Sequence, residues 1–250
     1  MKSWIVVRVA IVAITMAMVA SAALAEPPIG SRLGDRDEKR AVGDEQAAVH
    51  AAHQFAGCLV VKRGSSARGL LDTRDQKQAE KFGSQLGGEV DCITNITRND
   101  LVEGVAVNYP YAIMRGDIAE DLIKRNESSV RQLQPLSIER TYSRPWFALT
   151  TRNPSVDEMG ACVANTDPAA ILALIDTEAS SSAEDAAFGA LIPALGPCLV
   201  AGTKLDAKRE PLRAALAEAL YQRWAHPEEN ASPAVQPGVT PPPADTKRPQ

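Results

Sequence analysis

Apolar residues recur at helical spacing along most of this chain. Ala47, Ala48, Ala51, Ala52, Phe55, Cys58, Leu59 and Val61 approximate a 3.6-residue stripe that starts near Asp44 and ends at Gly64, which predicts an amphipathic helix. Ser65-Ser66 opens a short helix through Leu71, and Asp75 caps another that carries Ala79, Phe82 and Leu86 and stops at Gly87-Gly88. Tyr109 to Arg125 reads as a further helix with Ile113, Ile118, Leu122 and Ile123 inward. Gly116 should weaken that helix by up to about 1 kcal/mol relative to alanine. In the second half, Asn153-Pro154 and Asp167-Pro168 are cap-and-proline starts. Ser182-Ala183-Glu184-Asp185 begins a helix that Pro193 to Pro197 should interrupt. Arg209-Glu210-Pro211 starts a helix with Leu212, Leu216, Ala219 and Leu220 on its buried side and Trp224 near its end.

The two halves correspond. Placing Cys58 on Cys162 sets Phe55 on Met159 and Leu70-Leu71-Asp72-Thr73 on Leu174-Ile175-Asp176-Thr177. After a two-residue insertion Ala79-Glu80 faces Ala183-Glu184, Phe82-Gly83 faces Phe188-Gly189, and Cys92 lies on Cys198. A further offset aligns Met114-Arg115 with Leu212-Arg213, Ala119-Glu120 with Ala217-Glu218, and Leu122 with Leu220. The expected fold is therefore mainly α, a pair of degenerate tandem helical repeats over residues 44–126 and 153–226. The intervening residues 127–152 form a connector in which Tyr142, Trp146 and Phe147 lack a helical period. It reads as a short β-hairpin or an ordered linker, and its three rings are candidate interface residues.

Four cysteines, Cys58, Cys92, Cys162 and Cys198, are too widely spaced for a CxxC redox pair or a compact zinc knuckle. Repeats with two cysteines each are most simply closed as Cys58 with Cys92 and Cys162 with Cys198. A pairing that crosses between repeats would instead intertwine them into one domain, and the sequence leaves both open.

The ends differ from the middle. Lys2 and Arg8, the apolar run from Val9 to Ala20 and the small residues Ala23 and Ala25 read as a signal peptide over 1–25, cleaved before Glu26. The run is short of the roughly 20 residues that a membrane span needs, and no later segment supplies one. Residues 26–43 read as a flexible lead-in, and 227–250, with Pro241-Pro242-Pro243, as a Pro-rich disordered tail. Loss of the signal peptide takes 27 basic residues to 25 against 31 acidic, a net charge of −6. That balance argues against nucleic acid or an anionic membrane surface as partner. Export and paired cysteines together point to the bacterial periplasm or to secretion.

Candidate chemistry is sparse. His50 and His53 share a helix side with His226 as a remote third, yet no HExxH pattern or matching carboxylate accompanies them, so no metal is expected. Arg115 with Glu120 and Arg213 with Glu218 recur on one apolar frame, where salt-bridge or interhelix roles are ordinary. Asp72-Thr73 and Asp176-Thr177 read as caps or turns. There is no phosphate loop, no nucleophile elbow and no spacing that singles out an acid/base pair. The sequence thus points away from an enzyme and implies no cofactor. It favours an exported noncatalytic module that binds another envelope protein or a small apolar ligand. The other readings are a structural subunit or spacer of an envelope assembly, and an enzyme whose site assembles only in the fold.

Overall fold

The computed structural model describes residues 30–99, 109–139, 142–199 and 208–229. Its helices are α1 (Gly30–Lys62), α2 (Gly64–Asp72), α3 (Gln76–Gly87), α4 (Val90–Asn99), α5 (Tyr111–Arg125), α6 (Glu127–Val130), α7 (Pro154–Thr166), α8 (Pro168–Ile175), α9 (Ser182–Leu195) and α10 (Arg209–Ala225). Short 3-10 turns lie at Pro145–Leu149, Gly196–Cys198 and Pro227–Glu229. The fold is mainly helical, and no helix among the described residues is long and apolar enough to cross a membrane. The chain divides after Glu45, and the core and the site described below lie beyond that point.

Local chemistry explains where these helices start. Asp75 accepts a hydrogen bond from the Gln78 N–H at 2.8 Å, Asn153 from Ser155 at 3.0 Å, Asp167 from Ala170 at 3.1 Å and Ser181 from Glu184 at 3.1 Å. Each satisfies an amide that a helix start leaves without a partner. Glu184 returns the favour by accepting from the Ser180 N–H at 2.9 Å, close to a capping box.

Two disulfides close the halves. Cys58 bonds Cys92 across 34 residues and Cys162 bonds Cys198 across 36, with Cα atoms 5.7 and 5.6 Å apart. Loops of this length lose enough unfolded-state freedom for each bridge to contribute roughly 3 kcal/mol. A single apolar core then joins α1 (Phe55, Leu59), α2 (Leu70, Leu71), α5 (Ile118, Leu122), α7 (Met159), α8 (Ile171, Ile175) and α10 (Leu216, Leu220). At its centre α5 packs on α10, with Gly116 pressed against Ala214.

Several details depart from the sequence reading. α1 begins at Gly30, inside the segment expected to be a flexible lead-in. The run Arg36-Asp37-Glu38-Lys39-Arg40 is made mostly of good helix formers, and Gly34 and Gly43 do not break it. α9 continues through Pro193 to Leu195 instead of stopping. The carbonyl that Pro193 cannot reach is that of Gly189, an exposed residue with open space beside it, so water and not protein faces the lost bond. α4 carries Cys92 and had no clear counterpart in the pattern. Among the described residues the connector contains no strand and holds a 3-10 turn in place of a hairpin. Pro227–Glu229 forms a turn whose Glu229 accepts from Arg74 at 2.8 Å. The segment expected to be a signal peptide, residues 1–25, and the expected tail from 230 onward lie outside the described residues.

Candidate functional site

The most distinctive chemistry lies in the seam between α5 and α10, where four ionisable side chains are almost wholly buried. Arg115 and Glu120 stand five residues apart on α5, as Arg213 and Glu218 do on α10. Because the helices cross beside Gly116 and Ala214, each arginine reaches the glutamate of the other helix. Arg115 donates from Nε and Nη2 to Glu218 Oε1 at 2.9 and 2.5 Å, and from Nη1 to the Leu70 carbonyl at 3.0 Å. Arg213 donates from Nε and Nη2 to Glu120 at 2.8 Å each, and from Nη1 to Glu184 at 2.8 Å. Its Nη2 also reaches the carbonyls of Ile175 and Thr177, at 3.2 and 2.9 Å. Two guanidiniums thereby tie α2, α8 and α9 to the central pair.

The two ends of the seam differ. Beside Glu218, Arg152 donates from Nη2 to Oε2 at 2.6 Å, from Nε to Asp157 at 2.7 Å and from Nη1 to the Ala112 carbonyl at 3.0 Å. Thr150 donates to Asp157 at 2.5 Å, and the next residue, Thr151, is held at φ 61°. A β-branched residue at positive φ costs of the order of 1–3 kcal/mol. The tight turn it makes precedes Arg152, whose guanidinium plugs this end. Burial alone would raise the Glu218 carboxyl, yet Arg115 and Arg152 hold it below its ordinary value.

Beside Glu120 the closure is looser. Lys124 donates to Glu120 from the rim at 2.6 Å. The ring of His53, about a quarter exposed, lies with Nε2 3.8 Å from Asp117 Oδ1 and Nδ1 3.8 Å from Glu120 Oε1. Tyr109 donates to Asp117 Oδ2 at 2.7 Å, and its hydroxyl is 3.4 Å from the Ala52 carbonyl on α1. Burial pushes the Asp117 carboxyl up to about 6, against the pull of His53 and Tyr109. Glu120 is lowered, because Arg213, His53 and Lys124 outweigh its burial.

The raised Asp117 has a measurable consequence. A carboxyl that titrates near 6 in the fold, against an ordinary value of 3.8, adds stability that is complete below about pH 3.8 and is lost as pH rises through 6. At pH 7–8 the charged form is therefore a burden of up to about 3 kcal/mol. Asp117→Asn, which can still accept from Tyr109, should raise stability at pH 8 and lose that advantage below pH 4. Denaturant titrations of both proteins at the two pH values check this, and an unchanged difference would contradict it.

Elsewhere the candidates separate. Tyr142 and Trp146 are buried in the core, and Phe147 packs edge-on against Trp146 at 4.5 Å while keeping part of its surface exposed. The connector is anchored: Leu136 N–H donates to the Asn165 carbonyl at 2.7 Å, Tyr142 accepts from Glu139 N–H, and Arg223 of α10 donates to carbonyls of Gln134, Ala164 and Asn165. His50 faces Glu178 at 3.6 Å and His226 faces Asp72 at 3.1 Å, so the three histidines have separate carboxylate partners. His226, Glu228 and Glu229 do offer ligand atoms within 4.8 Å of one another and could hold a cation, although Arg74 already engages Glu229. Asp72 accepts from Tyr221, and Asp176 pairs with Arg131.

Sequence reasoning picked out Arg115, Glu120, Arg213 and Glu218 by their recurrence, and missed Asp117, Tyr109, Arg152 and Asp157. One signal was present: at the 104-residue offset that sets Cys58 on Cys162, Asp157 stands on His53 and Arg152 on Ala48. Comparison with family models, with curated proteins and with solved structures finds no match to this chain.

Proposed function

We propose that this chain is an exported noncatalytic binding module of the bacterial envelope, built from two degenerate helical repeats and presenting the connector to another envelope protein. The observation that carries the reading is how the interior charges are used. In the seam the guanidiniums face carboxylates and backbone carbonyls of this same chain, which makes them struts between helices. The one offset that takes Arg115 to Arg213 also takes Glu120 to Glu218. Exchanging the two repeats therefore exchanges the two ion pairs, as an approximate two-fold relation would.

Such a frame holds the connector rigidly while leaving apolar side chains outward. Leu136 is 42% exposed and Ile138 52% exposed, on a backbone pinned by Arg223 and Asn165. Apolar side chains displayed on an ordered segment suit a protein surface, since little conformational freedom is lost on contact. The signal-peptide pattern and the two bridges support export to the periplasm.

A photo-crosslinking residue at position 138 of the exported protein should join it to one envelope protein. The double variant Leu136→Asp/Ile138→Asp, crosslinked from position 147, should lose that partner while unfolding at the same denaturant concentration. Equal crosslinking by the double variant would overturn the assignment of the connector as the binding face.

A further inference from the structure

We propose that His53 is a proton-operated latch between α1 and α5: charged, it bridges Asp117 and Glu120, and neutral, it lets the stretch of α1 from Gln46 to Gly57 loosen. The argument comes from the two ends of one seam. Glu218 is closed off by Arg152, which bridges it to Asp157 with hydrogen bonds of 2.6 and 2.7 Å. Glu120, its counterpart, has no such arginine, because the position that corresponds to Arg152 is Ala48. What lies there is an imidazole between two carboxylates, 3.8 Å from each. The same bridging job is thus given to a permanent cation at one end and to a titratable one at the other.

Arginine keeps its charge at any pH a protein meets, whereas histidine is the side chain that ordinarily changes charge within the physiological range. The ring is partly exposed, so a proton can reach it without unfolding. The surroundings set the sign. Asp117, Glu120 and Lys124 face it from α5, Tyr109 from the segment before α5, Arg213 stands behind Glu120 from α10, and Glu184 of α9 stands behind Arg213. On α1 itself the neighbouring titratable group is His50, which is turned to Glu178, and Asp121 lies against Gly57. Lys124 and Arg213 both bind Glu120, while among the described residues Asp117 accepts from a neutral phenol and faces the ring at 3.8 Å. Above about pH 6, where Asp117 is ionised, a neutral ring leaves that buried charge with no cation in ion-pair contact among the described residues. A proton on His53 supplies one, and the contacts of 3.8 Å can then shorten into charge-assisted hydrogen bonds.

Above about pH 6, where Asp117 is ionised, a proton on His53 therefore tightens α1 on α5 and its loss in mild alkali loosens it; below about 6 Asp117 takes up a proton itself and Glu120 remains as the anion beside the ring. Only α1 is affected directly, because Arg213 bridges Glu120 and Glu184 and holds the rest of this end together without the imidazole.

Hydrogen–deuterium exchange on the whole oxidised protein, corrected for the intrinsic rate at each pH, reads the latch. Protection of a peptide over 46–57 should fall roughly tenfold between pH 6 and pH 8, the scale of a partly buried charge contact. A peptide over 212–223 should not change. In His53→Gln the 46–57 protection should be low at both pH values, and in His53→Arg it should stay high at pH 8. A slope that persists in His53→Gln, or wild-type protection independent of pH, overturns the proposal. Should His53→Arg prove too bulky to fold, the glutamine variant and the wild-type slope still decide.

Discussion

Glu218→Gln is expected to cost the fold about 3–5 kcal/mol at pH 7, the range for removing one partner of a buried ion pair. Glu218 has no exposed surface and takes hydrogen bonds from both Arg115 and Arg152. Glutamine keeps the shape and removes the negative charge, so Arg115 is left buried with the Leu70 carbonyl as its main partner and Arg152 with Asp157 and the Ala112 carbonyl. The unpaired guanidiniums, more than the lost attraction, set the size of the effect. Glu120→Gln should cost less, because Arg213 keeps Glu184 and two carbonyls and Lys124 can turn to water. The pH dependence fixes the sign. A carboxyl held below its ordinary 4.5 contributes stability above that value and loses it as pH falls through the folded value. The gap between wild type and Glu218→Gln should therefore narrow in acid. Denaturant unfolding of the oxidised proteins at pH 7 and pH 3 measures it, and a loss under about 1 kcal/mol at pH 7 would mean that water reaches both arginines.

The seam also shows what the sequence could and could not convey. Helix starts were readable where their signals are local: Asp75, Asn153 and Asp167 each cap a helix within three residues, and the helix expected from Ser182 starts there, with Ser181 as the cap that went unread. The recurrence of Arg115 and Glu120 as Arg213 and Glu218 was readable too, but their partners were not. An arginine and a glutamate five residues apart do not face one another along one helix, and the pattern leaves open which other element each meets; the contact at Gly116 hands each arginine to the other central helix. That contact depends on how closely two backbones approach, which no single-helix pattern encodes.

Asp117 and Tyr109 escaped notice for a related reason. α5 is buried continuously from Met114 to Glu120, so its polar residues point into protein and not into water. A charged position between two apolar ones normally marks the solvent face of a helix. Here both faces are covered, and the polar pattern records a network. Phe147, Trp146 and Tyr142 illustrate the opposite ambiguity: rings without helical period can lie outside or inside, and two of the three lie inside.

Gly116→Ala should destabilise the protein by about 2 kcal/mol or more, although alanine normally improves a helix by up to about 1 kcal/mol. The Cβ it adds would stand 2.3 Å from the Cα and Cβ of Ala214 and 2.4 Å from its carbonyl oxygen. Two of those three atoms are backbone, so no rotamer change makes room and α5 must move off α10. Any such shift also stretches the crossed hydrogen bonds of Arg115 and Arg213, which couple the contact to the buried charges. Two other glycines calibrate the result. Gly160, on α7, would place a Cβ 3.3 Å from the Ala215 carbonyl oxygen and the Ala219 Cβ, a contact that a shift of a few tenths of an ångström relieves, so its alanine variant should fall between the extremes. Gly189, exposed on α9, has open space beside it, and its alanine variant should gain up to about 1 kcal/mol from helix propensity alone. Unfolding curves for the three variants should therefore rank Gly189→Ala above wild type, Gly160→Ala below Gly189→Ala, and Gly116→Ala lowest. A Gly116→Ala protein as stable as wild type would show that α5 and α10 can separate without loss, and with that the seam would cease to be the structural centre of the fold.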